Sequence, residues 1–500
     1  MTEGFASRLQ PVLDPFALAE ALSGVHLIDG QLVASSQRFD VVNPATLQVI
    51  AQAADGDAAT VDAAVTAAVL AQGPWAKLSA RERGKKISLC GQLLQDHVEE
   101  LARLVALETG KAIRTESRVE ASVLSDIFAF YGGLGSELKG ETIPWKPEVL
   151  TLTIREPVGV VAAIIPWNAP LLLMALKIAP ALVAGNTVVV KSAEEAPLCV
   201  LRVAQILQQA LPPGVFNLIS GDGPNCGGPL CNHPQINKIT FTGSVPTGRI
   251  IAHAAAEKLI PVTLELGGKS PMIVLADADL DKAIDGAVAG MRFTRQGQSC
   301  TAASRMLVHR SLVPEFLAKL KGRVDRMIMG DPLDERTDIG TIISAQQLAT
   351  VQRYVALGLQ TPGATLHECS ALPTQAPFNR GRFLRPAIFT GLDDSSPVVA
   401  EEIFGPVTAI LAFDDYEEAI ARANTSQYGL AATIWTRDLK LALDAVHRLQ
   451  AGFVQVNQNV VVQSGLSYGG IKQSGLGKEA SLEAMLDHFT TKKTVLLNFA

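Results

Sequence analysis

The sequence predicts an α/β protein of two domains, each a mainly parallel sheet covered by helices, and three observations predict it. Apolar runs such as VGVVAAII, TVVVK and PMIVL are almost uninterrupted, as strands buried on both faces require. These runs alternate with segments of helical spacing. The 500-residue chain is 48% hydrophobic and only 18% charged, which supplies apolar surface for more than one core.

In chain order, the first fifty residues read as extended segments, with an Asp29–Gly30 turn joining VHLI to QLVA as a hairpin. From Ala58 to about Gly110 the chain is rich in Ala and Leu at helical spacing, punctuated by Gly73–Pro74. Pro157 to Leu176 is apolar enough by hydropathy to span a membrane. Pro157, Pro166 and Pro170 would break such a helix, so a buried strand, a PWNAP turn and a buried helix from about Leu171 to Leu182 fit better. The alternation continues through TVVVK, a helix from about Ala196 to Ala210, VFNLIS, KITFTG and a helix opening near Pro246. A second series starts near Gly268. It runs PMIVL, a helix over Leu280–Phe293, RMLVH, a helix from about Val313, TAIL, a helix near Tyr416–Asn424, ATIWT and VQVN. No internal repeat, low-complexity segment or long linker interrupts it.

Composition excludes several functions. A formal charge of −6 without basic runs does not suit wrapping of nucleic-acid phosphates. Six cysteines with no CxxC pair argue against a zinc site or a disulfide scaffold, and so for a reduced, cytoplasmic protein without a metal. The start, MTEGFASRLQ, has Glu3 and no apolar run behind basic residues, which is not a signal peptide.

A few residues could carry chemistry. Cys300, in RQGQSCTAASR, follows a predicted helix on a polar loop with Gly297. It is either a buried hydrophobe or, with a lowered pKa, a thiolate nucleophile. Glu265, in VTLELGGKSP, ends an apolar strand where open α/β sheets build their sites, and alone it also reads as a surface carboxylate. GDGPNCGG departs from the dinucleotide fingerprint in its spacing and at Pro224. TFTGSVPTG is stronger. It follows a strand and opens a helix, so Gly243 and Ser244 offer donors to a pyrophosphate, unless the loop is simply a tight turn. Lys191 and Glu194, at the end of VVVKSAEEAP, suit ribose hydroxyls or a solvated helix start. GGIKQSGLGKE is not a P-loop, because Lys472 and Glu479 stand where Gly and Ser/Thr are needed.

Together these pieces resemble the aldehyde dehydrogenase superfamily, in its non-phosphorylating NAD(P)-dependent branch. PWNAP, KSAE, FTGSVPTG, LELGGKSP, GQSC, EEIFGPV and YGGIKQSGLGKE occur in the family's order, within a match from about Asp29 to Val495. The resemblance implies a Rossmann-like cofactor domain over 1–138 and 157–267, an α/β catalytic domain over 268–473, and a small β oligomerisation element over 139–156 and 489–500. In that element TLTIRE and KTVLLN look like edge strands able to pair between subunits of a homodimer or homotetramer.

The resemblance also implies roles. Cys300 attacks an aldehyde to give a thiohemiacetal, Asn168 and the Cys300 N–H stabilise the oxyanion, hydride leaves for the nicotinamide, and Glu265 activates the water that hydrolyses the thioester. Lys177 supports this machinery. Glu402 binds the nicotinamide ribose and Phe404 packs near the ring. Lys191 and Glu194 meet the adenosine ribose, Trp167 and Ser244 the pyrophosphate, with Gly243 and Ile164 completing the cofactor contacts. NAD is favoured over NADP because Glu194 would repel a 2′-phosphate.

Four residues depart from the family in the implied substrate tunnel. Ala169 stands where many relatives have Phe, Leu176 where some have Trp, Arg295 where Asn is frequent, and Tyr468 where Phe is usual. Small residues at 169 and 176 widen the tunnel toward a medium-sized aromatic or aliphatic aldehyde. Arg295 would meet a substrate anion or make a structural hydrogen bond to its loop, and Thr294 stands where semialdehyde-oxidising relatives carry Arg. Two other readings are a CoA-acylating dehydrogenase, which Glu265 argues against, and a non-catalytic binding protein on the same fold, which the intact Asn168, Glu265 and Cys300 argue against.

Overall fold

The computed structural model describes residues 9–459 and 462–500. The opening segment around Glu3, read above as no signal peptide, lies outside them. Two large sheets organise the chain, as the strand–helix alternation predicts. The first has eight strands, in the order Gln31–Ala34, Val25–Ile28, Phe216–Ile219, Thr187–Lys191, Val160–Ile164, Lys238–Thr242, Val262–Glu265 and Gly475–Leu476. Its five central strands are parallel and wholly or almost wholly buried, and the strands outside them pair antiparallel. The second has seven strands, in the order Thr365–Glu368, Ala387–Thr390, Val407–Phe413, Arg305–His309, Pro271–Val274, Ala431–Trp435 and Phe453–Val456, all parallel except the first.

The Asp29–Gly30 hairpin forms as expected. Both residues have positive φ, 51° and 72°, which matches the right-handed twist of the flanking strands. The Pro157–Leu176 region also resolves as expected, into the strand Val160–Ile164 and the helix Pro170–Val183. That helix is buried on almost every side, which accounts for its hydropathy. Among the described residues, no helix is long and apolar enough to cross a membrane.

Three expectations are corrected. The first fifty residues are not wholly extended. Pro15–Ala21 is a helix, started by Asp14 accepting from the N–H groups of Phe16 and Ala17, with Pro15 at the position where its missing N–H costs nothing. Gly73–Pro74 does not interrupt its helix, which runs from Ala58 to Lys77. The carbonyl that Pro74 leaves unbonded belongs to the exposed Leu70, where water can satisfy it. TLTIRE is not an edge strand. It lies in Val149–Pro157, the middle strand of a three-stranded antiparallel sheet between Thr142–Lys146 and Thr490–Asn498, and only the KTVLLN strand and the Thr142 strand are edges.

Candidate active site

The C-terminal ends of the parallel strands in the first sheet gather most of the residues singled out above. Glu265 is the last residue of Val262–Glu265, in register with Thr242 on one side and Gly475 on the other. The loop YGGIKQSGLG folds over this end. Ser474 ties it down, its Oγ donating to the Gly267 carbonyl at 2.7 Å and its own carbonyl accepting from the Leu266 N–H at 2.8 Å. Gly469, at φ 146°, leaves the space that Glu265 occupies, since a Cβ there would stand 2.5 Å from Glu265 Oε1.

Glu265 is 3% exposed, and neither carboxylate oxygen has a hydrogen-bond partner. Burial pushes its pKa well above the carboxylate range, and the charge of Glu479 adds to this against the opposing Lys177 and Lys478. The Gly470 N–H lies near enough to favour the charged form without completing a hydrogen bond. Lys177, fully buried on the helix Pro170–Val183, pairs with Glu479 at 2.5 Å and reaches Thr240 Oγ1 at 3.4 Å. Beneath them Lys238 donates to Thr263 Oγ1 at 2.7 Å, and burial next to Lys177 lowers its pKa to about 7.

Cys300 sits on a loop locked by geometry and hydrogen bonds. Arg292, Gln296 and Gly297 are all left-handed, with φ of 56°, 56° and 62°, and a Cβ on Gly297 would strike the Gly405 carbonyl at 2.1 Å. Gln296 and Gln298 clamp the loop to residues 340–343 through the Gly340 and Thr341 carbonyls and the Ile343 N–H. Cys300 is the one half-buried cysteine of six, and its Sγ lies 3.4 Å from the Tyr468 hydroxyl. Burial pushes the thiol up to about 11. The Tyr468 hydrogen bond and Arg295 pull it down, while Glu402 and Glu265 push it up.

Asn168 is buried on the turn that precedes the helix Pro170–Val183. Its Nδ2 donates to the Gln298 carbonyl of the Cys300 loop at 3.4 Å, and its own carbonyl accepts from Lys111 Nζ at 3.1 Å. Lys111 in turn pairs with buried Glu120, whose other oxygen accepts from the Leu171 N–H at 2.9 Å at the helix start. Residue types alone gave no hint of Lys111, Glu120, Glu116, Arg292 or Glu479. Lys111 and Glu120 pair with each other nine residues apart, but their contacts at Asn168 and Leu171, like the partners of Glu116 and Glu479, are far away in sequence, and only the fold brings them in.

Arg295 is held by Glu116, which accepts from its Nε at 2.8 Å and its Nη2 at 2.5 Å and also from Thr294. Of the two roles open to Arg295, the ion pair favours the structural one, although the partner is Glu116 and not the loop itself. Arg292 brings a second guanidinium within the electrostatic reach of Cys300 and Tyr468. Ala169, Leu176 and Tyr468 are buried in one apolar cluster with Cys300 at its margin.

The expected cofactor contacts lie along the same sheet end. Ile164 and Lys191 end neighbouring strands in register. Lys191 Nζ lies 3.5 Å from the Glu194 carboxylate, whose side chain is 44% exposed. The Gly243 N–H donates to the Glu265 carbonyl at 3.0 Å, so this glycine loop is pinned to the strand of the candidate base. Ser244 caps the 14-residue helix Val245–Lys258. Glu402 accepts from the Gly268 N–H at 2.9 Å, and it occupies space a Cβ on Gly267 would take, at 1.9 Å. Burial raises its pKa to about 7. Trp167 and Phe404 stack edge to face at 5.3 Å, and Gln347 fixes the left-handed Phe404 through the carbonyls of 403 and 404. A Lys–Glu pair with an exposed carboxylate, a capped helix N-terminus and a partly buried carboxylate along one sheet end fit the ribose, pyrophosphate and second ribose of a dinucleotide.

Comparison with known proteins places the chain as a whole among its relatives. The model of the aldehyde dehydrogenase family matches residues 32–495. A mitochondrial aldehyde dehydrogenase of Arabidopsis thaliana, family 2 member B4, is 40% identical over 475 residues, 94% of this chain and 87% of that protein. A betaine aldehyde dehydrogenase of Rhizobium etli is 41% identical over 474 residues, 94% of this chain and 96% of the relative. Among solved structures, an NAD+ complex of a Bacillus cereus aldehyde dehydrogenase superposes with a TM-score of 0.93 at 38% identity, covering 98% of this chain and 100% of that one. A Staphylococcus aureus betaine aldehyde dehydrogenase with NAD+ gives 0.93 at 34% identity, covering 97% of each chain.

Proposed function

The chain belongs to the aldehyde dehydrogenase family, and we propose that it oxidises a medium-sized aromatic or aliphatic aldehyde to the carboxylic acid with NAD+. The reading rests on one observation above all. A half-buried thiol, Cys300, stands within the electrostatic reach of a buried carboxylate, Glu265, that no partner holds.

The Cys300 sulfur attacks the aldehyde carbon, and the carbonyl electrons move onto oxygen. Asn168 Nδ2 and the Cys300 N–H donate to that oxyanion, where negative charge develops. Lys191, Glu194, Ser244 and Glu402 would hold NAD+, which would supply the acceptor for the hydride whose loss turns the adduct into a thioester. Glu265 then takes a proton from water as the water adds to the acyl carbon, and the C–S bond breaks with its electrons returning to sulfur. Glu265 must be ionised to do this. Its raised pKa therefore makes hydrolysis faster as pH rises toward that value. Lys177 supports the base by holding Glu479, which faces Glu265 in the buried cluster.

Glu194 supports a preference for NAD+. Its carboxylate accepts from ribose hydroxyls and repels a 2′-phosphate, while the neighbouring Lys191 softens that repulsion. We expect kcat/KM for NAD+ to exceed that for NADP+ by about tenfold or more, each tenfold step being ~1.4 kcal/mol. Equal values would show that Glu194 does not discriminate.

The substrate proposal follows from Ala169 and Leu176, which are smaller than the rings many relatives carry there and are buried in the cluster that Cys300 borders. It is tested by kcat/KM for benzaldehyde, hexanal, acetaldehyde and succinic semialdehyde, with Ala169→Phe alongside. We expect benzaldehyde or hexanal to lead, and Ala169→Phe to lower the bulky substrates by about tenfold while sparing acetaldehyde, since a misplaced reacting group costs up to ~10²-fold. Acetaldehyde or succinic semialdehyde in the lead, or no effect of Ala169→Phe, overturns it.

We also assign the three-stranded sheet to contact with a second copy in a homodimer or homotetramer. Trp145, Ile143, Leu496 and Leu497 are exposed on its strands, and monomers seldom leave such groups uncovered together. Six free cysteines with no disulfide support a reducing compartment such as the cytoplasm.

A further inference from the structure

Tyr468 is more than a wall of the pocket. Its backbone is pinned by a two-way bridge to Glu479, with N–H to carbonyl distances of 2.9 and 2.7 Å. Its ring meets Phe453 edge to face at 5.8 Å, and the residue is 4% exposed. The hydroxyl position is therefore fixed by packing, and it lies 3.4 Å from Cys300 Sγ. Among the described residues, no other side chain makes a hydrogen bond to that sulfur. We propose that the Tyr468 hydroxyl donates a hydrogen bond to the Cys300 thiolate, making it a catalytic residue that favours the charged form of the nucleophile. This rests on the assignment of Cys300 as nucleophile.

The chemistry of the surroundings demands such a donor. Glu265 and Glu402 both oppose a second negative charge at Sγ, and burial removes the water that would solvate it. Arg295, which favours the thiolate, is tied to Glu116, and neither it nor the neighbouring Arg292 makes a hydrogen bond to the sulfur, so both act only through their fields. Asn168 Nδ2 points to the Gln298 carbonyl and is the donor reserved for the carbonyl oxygen. The direction of the Tyr468 bond is also fixed. Burial and the neighbouring negative groups keep the phenol protonated, and a neutral phenol facing a thiolate can only donate. The same donor serves twice in a turnover. It stabilises the attacking thiolate and then the thiolate released when the C–S bond of the thioester breaks. Tyr468 keeps its own proton throughout.

The test measures the thiolate directly. Iodoacetamide alkylation of Cys300 is followed against pH in the wild type, in Tyr468→Phe, and in Phe453→Leu, which disturbs the ring packing and leaves the hydroxyl. Cys300→Ala corrects for alkylation elsewhere. In Tyr468→Phe we expect the midpoint to rise by about one pH unit, so alkylation on the acid limb slows about tenfold, or ~1.4 kcal/mol. That is the lower end of what a hydrogen bond to a charged group contributes, as suits a long contact to sulfur. Phe453→Leu should keep the wild-type midpoint. A Tyr468→Phe profile that superimposes on the wild type overturns the proposal, as does an equal shift in Phe453→Leu. Because alkylation needs no turnover, this outcome is separate from the fate of the nucleophile assignment, which full activity in Cys300→Ala would refute.

Discussion

Replacing Cys300 with alanine is expected to lower aldehyde-dependent NADH formation by at least ~10⁴-fold, the scale on which removal of a covalent nucleophile acts. No other thiol can stand in. Cys90, Cys199, Cys226, Cys231 and Cys369 are all buried. The pKa does not single out Cys300, since burial pushes Cys231 and Cys369 to about 11 as well. Accessibility does, together with a fixed hydroxyl on the sulfur and a free carboxylate within reach. NAD+ binding should stay near normal, because Lys191, Glu194 and Ser244 belong to other strand ends and none of them touches the thiol. Calorimetric titration with NAD+ checks that half of the prediction. Appreciable turnover by the variant would remove Cys300 from its role.

Much of this architecture was legible in local pattern. The parallel strands announce themselves as unbroken apolar runs because both of their faces are covered, and the Asp29–Gly30 hairpin follows from two residues that tolerate positive φ. Strand order was not legible. TLTIRE alternates like an edge strand, yet Thr142–Lys146 and Thr490–Asn498 flank it on both sides, and nothing in its own residues specifies that. The helix at Pro15 carried its signal in the Asp14–Pro15 pair, a cap followed by a residue suited to the first turn. The candidate site was legible only through seven short blocks taken together, since Glu265 and Cys300 meet through tertiary structure. The charge pairing around them was hidden. Arg295 could be read either as meeting a substrate anion or as structural, and its partner Glu116, on a distant segment, was not legible. Glu479 entered the sequence reading only as a departure from a P-loop, and it is buried against Lys177.

The second large effect is expected from Glu265→Gln, which preserves shape and removes the base. Cys300 should still attack and hydride should still leave, so the variant forms its acyl-enzyme and stops there. NADH should appear as one rapid burst of about one equivalent per site, followed by steady turnover reduced by ~10²–10⁴-fold, the usual contribution of a general base. The hydrolytic thioester is the centre of the account, and mass spectrometry of this variant tests it most directly. The variant is mixed once with NAD+ and the fastest aldehyde of the panel, with and without coenzyme A, then quenched and digested. An acyl group is expected on the peptide containing Cys300, while the wild type under the same conditions should turn over steadily without coenzyme A. No adduct together with unchanged steady turnover would contradict it, as would a wild type that stalls after one NADH until coenzyme A is added.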